Sequence, residues 1–301
     1  MSSRQPLLGI LFAGLGATLF STKAIFIKLA YQDHADAALM LAYRMIFAMP
    51  VFALVGYWAW TQRRARNEPP PSSMDIARAA FVGFLGYYVA SQFDFAGLMF
   101  ITAQLERLVL FTYPLFVMFL SYLLYGERVT GFGLIAAAIT YTGLAIVFLI
   151  DLPEGGRDTV IGTLLVLGAA ISFALHQIYA KRFMAPMGSA LFTAIALTSA
   201  SVFCILHQLV VSGSFAATPR FLWLSAGCAI VATVLPTFLI NAGLARISSA
   251  TVSMISTVSP VVTIGLAVMI LGEPFTLADA IGSSMVLAGV GLYAWGENTR
   301  T

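Results

Sequence analysis

Apolar residues run along this chain in long blocks separated by short polar breaks. Ten blocks stand out, at about 7–29, 37–60, 78–98, 101–124, 129–150, 159–180, 189–211, 221–243, 248–271 and 277–296. A helix that crosses a membrane needs roughly 20 residues, each rising about 1.5 Å. Each block meets that length, so the pattern predicts ten transmembrane helices in an all-α integral membrane protein. The short breaks predict hairpins of antiparallel helices. Two breaks are longer. Thr61–Ala77 carries Arg63, Arg64, Arg66 and Pro69-Pro70-Pro71, and the acidic stretch Asp151–Asp158 contains Gly155-Gly156.

Composition agrees with the pattern. The 301 residues are 60% hydrophobic and 10% charged, against about 25% charged in soluble domains. A net charge of +3 then bears on membrane orientation and not on nucleic acid. Cys204 and Cys228 lie in apolar blocks without metal-ligand spacing and read as buried thiols. No metal or cofactor motif is visible. Met1–Pro6 leads straight into the first block, which reads as a spanning helix and not a cleaved signal.

Basic residues set the orientation. With the N-terminus inside, the inner side holds ten: Arg4, Arg63, Arg64, Arg66, Arg78, Arg128, Lys181, Arg182, Arg246 and Arg300. The outer side holds three, Lys28, Arg157 and Arg220. Both termini are therefore expected in the cytoplasm. Trp58, Trp60 and Trp295 fall at inner ends and Trp223 at an outer end, where amphipathic rings settle.

The chain also repeats itself. Ala96–Gly143 lies ungapped on Ala242–Gly289 at an offset of 146, with 11 of 48 positions identical. The shared positions include Gly97/Gly243, Pro114/Pro260, Gly126/Gly272, Glu127/Glu273, Thr130/Thr276 and Gly143/Gly289. A weaker match at an offset of 153 places Gly9, Phe20, Ile25 and Lys28 on Gly162, Phe173, Ile178 and Lys181. Two halves follow, 1–150 and 151–301. Five spans per half is an odd number, so the second half enters the membrane from the opposite side. Inverted repeats of this kind recur in secondary transporters, with the substrate site near the midplane between the halves.

Tyr113-Pro114, then eleven residues to Gly126-Glu127, is echoed at Ser259-Pro260 and Gly272-Glu273. This paired motif resembles the drug/metabolite transporter superfamily, and within it the EamA-type exporters built from two tandem five-helix repeats. Within that group the chain looks most like the bacterial amino-acid exporters, the aromatic amino-acid exporter type included. The resemblance spans the whole chain. It implies export of amino acids, drugs or other metabolites through a central cavity lined by helices 1, 3, 4, 6, 8 and 9, with helices 5 and 10 as scaffold. It also implies a place in the bacterial cytoplasmic membrane. The partners implied are a small-molecule substrate and the lipid bilayer. A monomer suffices, and the oligomeric state is open.

Ionisable side chains inside spans are costly and mark either function or a paired network. Lys23, Arg44, Asp94, Glu106 and Arg107 all fall in the outer third of the first half and sum to +1. Two readings stand. Either they form a vestibule where Lys23 or an arginine meets a substrate carboxylate, or they pair with one another, because buried charges need partners. Arg44, Asp94, Glu106 and Arg107 are assigned to a structural network. Lys23 is assigned to the substrate path, since its repeat mate is another ionisable residue, His176. His176 is either a proton-coupling group or a hydrogen-bonded core histidine. His207 is placed off the path.

Tyr87, Tyr88 and Tyr113 are mid-span. With Gln92, Gln104 and Gln177 they either line an amphipathic cavity suited to apolar or aromatic amino acids or pack singly. Pro114 and Pro260 break hydrogen bonds to the carbonyls of Leu110 and Ser256, giving a hinge or a static kink. Gly126 and Gly272 fit the left-handed residue that ends a helix, and Glu127 and Glu273 the start of the helix that follows. Gly131, Gly133, Ala136 and Ala137 read as a close-packing face. The leading expectation is a secondary transporter working by alternating access. An intramembrane enzyme using Glu106, Arg107 or His176 is the alternative from another class, but H-E-x-x-H, G-x-S-x-G and Cys-His constellations are absent.

Overall fold

The computed structural model describes residues 4–126, 129, 131–244, 246–247, 252, 255–256 and 258–298. Glu127, Arg128, Thr130 and Arg300, which entered the sequence reading, lie outside the described residues. Among the described residues the structure is helical throughout, without strands. The helices are α1 (Leu7–Tyr31), α2 (Ala37–Ala65), α3 (73–97), α4 (Ala103–Tyr125), α5 (Gly131–Gly155), α6 (Arg157–Phe183), α7 (Ser189–Val211), α8 (Pro219–Gly243), α9 (Val258–Leu271) and α10 (Leu277–Asn298). Eight of them are long and apolar enough by themselves to cross a membrane, and Val258–Leu271 is a shorter apolar helix. Trp58, Trp223 and Trp295 are exposed at helix ends. Cys204 and Cys228 are buried free thiols.

Helix starts follow local chemistry. Asp36 accepts the Leu39 amide at 2.9 Å to open α2. Ser72 and Asp75 form a reciprocal capping box, which starts α3 five residues earlier than the apolar block. Thr218 accepts the Phe221 amide at 3.1 Å, with Pro219 at the first helical position of α8. One expected loop is missing. The acidic stretch after 150 continues α5 to Gly155, and α6 begins at Arg157. Only Gly156 separates them, at φ +53° and ψ −122°, a conformation open to glycine because it has no Cβ.

The packing obeys the repeat. α5 lies against α10 and α2 against α7. The pair α1·α8 is matched by α6·α3, α4·α6 by α9·α1, and α3·α7 by α8·α2. Exchanging the two halves maps this set of contacts onto itself. The glycines show why. A Cβ on Gly97 would stand 3.0 Å from the Gly162 carbonyl, and one on Gly243 3.1 Å from the Gly9 carbonyl. These are the same helix crossing made twice, since both glycine pairs are repeat mates. Ala136 is buried against α10 at Gly289 and Ala137 is buried with Leu115 and Met118 of α4, but Gly131 faces open space and is no part of a close contact.

The symmetry extends to part of the irregular backbone, although α9 ends in a π turn, Ala267–Leu271, whose counterpart in α4 is α-helical. α3 contains a π-helical turn at Phe84–Val89 and α8 one at Ile230–Val234, again 146 residues apart. A π turn removes one helical hydrogen bond, and such turns gather at functional sites.

Candidate functional site: a charged seal above an aromatic path

α1 and α4 are both interrupted in the outer half of the bundle. α1 breaks at Thr22, between Arg4–Ser21 and Lys23–Tyr31. α4 breaks at Phe111 and Thr112, just before Pro114, between Ala103–Leu110 and Tyr113–Tyr125. Breaks in lipid are tolerated where other groups take up the freed carbonyls. Here the Phe20 carbonyl accepts Arg107 Nη2 at 3.3 Å, and the Ser21 carbonyl accepts Thr263 Oγ1 at 3.0 Å. Arg107 Nε donates to Thr263 Oγ1 at 3.0 Å, and Ser21 Oγ lies 2.8 Å from Ser259 Oγ. The breaks in α1 and α4 are thus stitched to each other and to α9.

The same break starts a helix at Lys23. Its ammonium is paired closely with Asp94 and lies 3.3 Å from Glu106 Oε1. The three side chains are at most 5% exposed. Lys23, Asp94, Glu106 and Arg107 therefore join α1, α3, α4 and α9 in one buried cluster, two charges of each sign. Arg44, grouped with these charges by depth alone, stands apart. Its Nε donates to Thr233 Oγ1 at 2.9 Å, its guanidinium lies over the Phe95 ring at 5.3 Å, and no carboxylate of the described residues is within 4 Å. Thr233, within the π turn of α8, in turn donates from Oγ1 to the Cys228 carbonyl just before that turn at 3.1 Å.

The repeat mate of that carbonyl, on Val82, lies 2.9 Å from His176 Nδ1, and the Leu85 carbonyl accepts Ser172 Oγ at 2.8 Å. His176 is thus held on α3 just before its π turn, and its neighbour Ser172 on the turn itself. Gly86 makes room for it, since a Cβ there would lie 2.3 Å from the ring. From His176 the rings form a series. Tyr87 meets His176 edge-on at 5.0 Å, Phe173 stacks on His176 at 5.5 Å, and Tyr113 meets Phe173 edge-on at 5.0 Å.

Three predicted residues therefore come together, Tyr87, His176 and Tyr113, with Phe173 as the unforeseen link. Tyr88 points elsewhere. It packs on Phe84 and Phe203, and its hydroxyl is 2.6 Å from His207 Nδ1. Gln177 is exposed one turn from Phe173, on the face of α6 away from exposed Leu164 and Ile171. Gln92 is half-buried, with a buried Nε2 that meets no acceptor. Gln104 is away from the rings, its Nε2 donating to the Pro274 carbonyl at 2.9 Å.

Gln104 belongs to an outer latch. Gly126 and Gly272 both adopt φ +69°, as left-handed helix ends do. Glu273, however, does not serve the helix after it, where Thr276 and Asp279 cap α10. Its carboxylate instead accepts the amides of Ala103 at 2.7 Å and Gln104 at 3.2 Å, at the start of α4 in the other half. The free amides of a helix start and its positive end favour that placement. Glu273→Ala is expected to cost about 1–2 kcal/mol, read as a lower thermal midpoint in detergent. An unchanged midpoint would show that the latch adds nothing.

A buried charge cluster, broken helices and a series of rings lie between two exchangeable halves of an all-helical bundle. The profile of the EamA-like transporter family matches residues 7–149 and again 160–295, and the chain belongs to that family. It is similar to the uncharacterised transporter YcbK of Bacillus subtilis (strain 168), 27% identical over 294 residues that cover 93% of this chain and 90% of the other. It also matches the uncharacterised transporter YvbV of the same organism, 32% identical over 110 residues, 36% of this chain and 35% of the other. A solved crystal structure shares the fold with a TM-score of 0.63 at 17% identity, covering 99% of each chain. The protein is a multi-pass integral membrane transporter of small molecules, not an enzyme.

Proposed function

We propose that this transporter exports amino acids, apolar and aromatic ones foremost, across a bacterial cytoplasmic membrane by alternating access. The observation that carries this reading is the ring series Tyr87–His176–Phe173–Tyr113 beneath the charged cluster. Stacked and edge-on rings offer a surface for a flat apolar side chain. Nearby Lys23 and Arg107 are suited to a carboxylate, and Asp94 and Glu106 to an ammonium. The break in α4 before Pro114 supplies the hinge, with Pro260 as its repeat mate.

Counterflow in liposomes tests this. Labelled phenylalanine, tyrosine, tryptophan or leucine should accumulate in vesicles preloaded with the same unlabelled amino acid, and should saturate. Absence of exchange across all the amino acids would overturn the substrate class. Phe173→Ala and Tyr113→Ala are each expected to raise the half-saturation concentration about 2- to 10-fold, the worth of one aromatic contact. Pro114→Ala is expected to slow turnover more than it weakens binding. An unchanged turnover would leave a static kink.

A further inference from the structure

Asp94 and Glu106 share a single ammonium, and each leaves one oxygen without a partner. Lys23 takes Asp94 Oδ2 and Glu106 Oε1. Asp94 Oδ1 and Glu106 Oε2 are buried and accept no hydrogen bond. Leaving a buried acceptor unmade is costly, more so when it carries charge. Both carboxyl groups sit on the same Lys23 ammonium, which makes them close neighbours in a buried site. One proton between them would satisfy both orphan oxygens and remove the repulsion of two like charges.

The surroundings suit such a proton. α1 contributes Lys23, with Tyr31 and Lys28 farther out; α4 adds Arg107, α8 adds Cys228, and Arg44 lies beyond it on α2. α9 presents only hydroxyls here, from Ser259 and Thr263. The charged cluster is balanced without the proton and carries +1 with it. The two states therefore bind the Lys23 ammonium differently, which is what an ion must do to bias a conformational equilibrium. Opening the outer end must separate α1 from α3 and α4, and that motion breaks the Lys23 pairs and bares the carboxylates to the outer water.

We propose that Asp94 and Glu106 hold one shared, exchangeable proton and form the proton-binding site of the transport cycle. The proton comes from the outer aqueous phase when the cluster opens, adds to a carboxylate oxygen, is held between the two groups while the outer end is closed, and leaves as H⁺ to the cytoplasmic side later in the cycle. No other atom changes hands. This site is distinct from His176, whose Nδ1 is already committed to the Val82 carbonyl.

Infrared spectroscopy of the full-length protein in detergent tests the site without any substrate. Above a pH of about 6, where solvated carboxyls are ionised, the wild type should show a protonated carboxyl C=O band. That band should shift on exchange into deuterium oxide and vanish as pH rises further. Glu106→Gln and, independently, Asp94→Asn should abolish it in preparations that remain monodisperse. A wild type without such a band overturns the proposal, as does a band unchanged in both variants. Coupling rests on the amino-acid reading and is measured in liposomes as the ratio of phenylalanine flux with an opposing proton gradient to flux without one. The ratio should exceed one in the wild type and fall to one in Glu106→Gln; a ratio of one in the wild type overturns coupling. If the wild type exchanges no amino acid at all, the substrate reading fails while the infrared result still decides the proton site.

Discussion

Lys23→Ala should destabilise the protein by about 3–5 kcal/mol, the cost of stripping one partner from a buried ion pair. The variant leaves Asp94 and Glu106 facing each other at most 5% exposed, with the nearest ammonium gone. A loss of that size shifts the folding equilibrium by two to four powers of ten. It should fall toward the lower end of the range if the pair carries its shared proton. Adding Asp94→Asn to Lys23→Ala removes one of the stranded charges and leaves Glu106 with Arg107. Part of the lost stability should return, which a double-mutant cycle measures as coupling between the two sites. Thermal midpoints and denaturant unfolding in detergent supply the numbers. A single variant as stable as wild type, or a double variant no better than the single, would mean that the cluster is not held by charge. Transport should fall in Lys23→Ala as well, since the outer seal loses the residue that ties α1 to α3 and α4.

Gly143→Ala should cost about 1–3 kcal/mol, although alanine is the better helix former by about 1 kcal/mol. A Cβ at Gly143 would stand 2.5 Å from the Gly282 carbonyl, 2.6 Å from Met285 Cβ and 2.9 Å from the Val286 amide. Two of these neighbours are backbone, so no side chain can swing away and α5 must part from α10. In lipid that contact depends on close van der Waals packing, because water gives no hydrophobic drive between helices. Gly291→Ala is the internal control. It lies on α10, where a Cβ meets nothing within 4 Å, and should be neutral or stabilising. If Gly143→Ala proves as stable as Gly291→Ala, the α5–α10 contact is looser than the structure shows.

Much of this architecture was legible in the residues. The blocks marked the helices, and the offset of 146 predicted that Gly97 and Gly243 would do the same work, which they do at the α3·α6 and α1·α8 crossings. The same offset reaches back to the π turns at Phe84 and Ile230, but nothing in composition announces them. A π turn is a change of backbone hydrogen-bond register, and apolar residues suit either register. The acidic stretch after 150 read as a loop because its residues are polar, yet one glycine suffices to reverse the chain. Glu273 read as a cap of its own helix because capping is local in sequence. Its amides instead come from α4, 170 and 169 residues away.

The candidate site divides along the same line. That Lys23, Asp94, Glu106 and Arg107 share one depth followed from counting residues from the helix ends. That Lys23 answers two carboxylates, 71 and 83 residues away, while Arg44 at similar depth answers a threonine hydroxyl, followed only from how the helices are turned and packed. By itself the sequence marked the ten apolar blocks and the two copies of one unit. Lipid leaves a spanning chain little choice but to close its hydrogen bonds within each helix, and an odd number of spans inverts the copy. The tertiary structure alone decided which charges pair, which carbonyls are freed and what takes them up. Those choices depend on rotation about each helix axis and on contacts between distant segments, and a one-dimensional pattern carries neither.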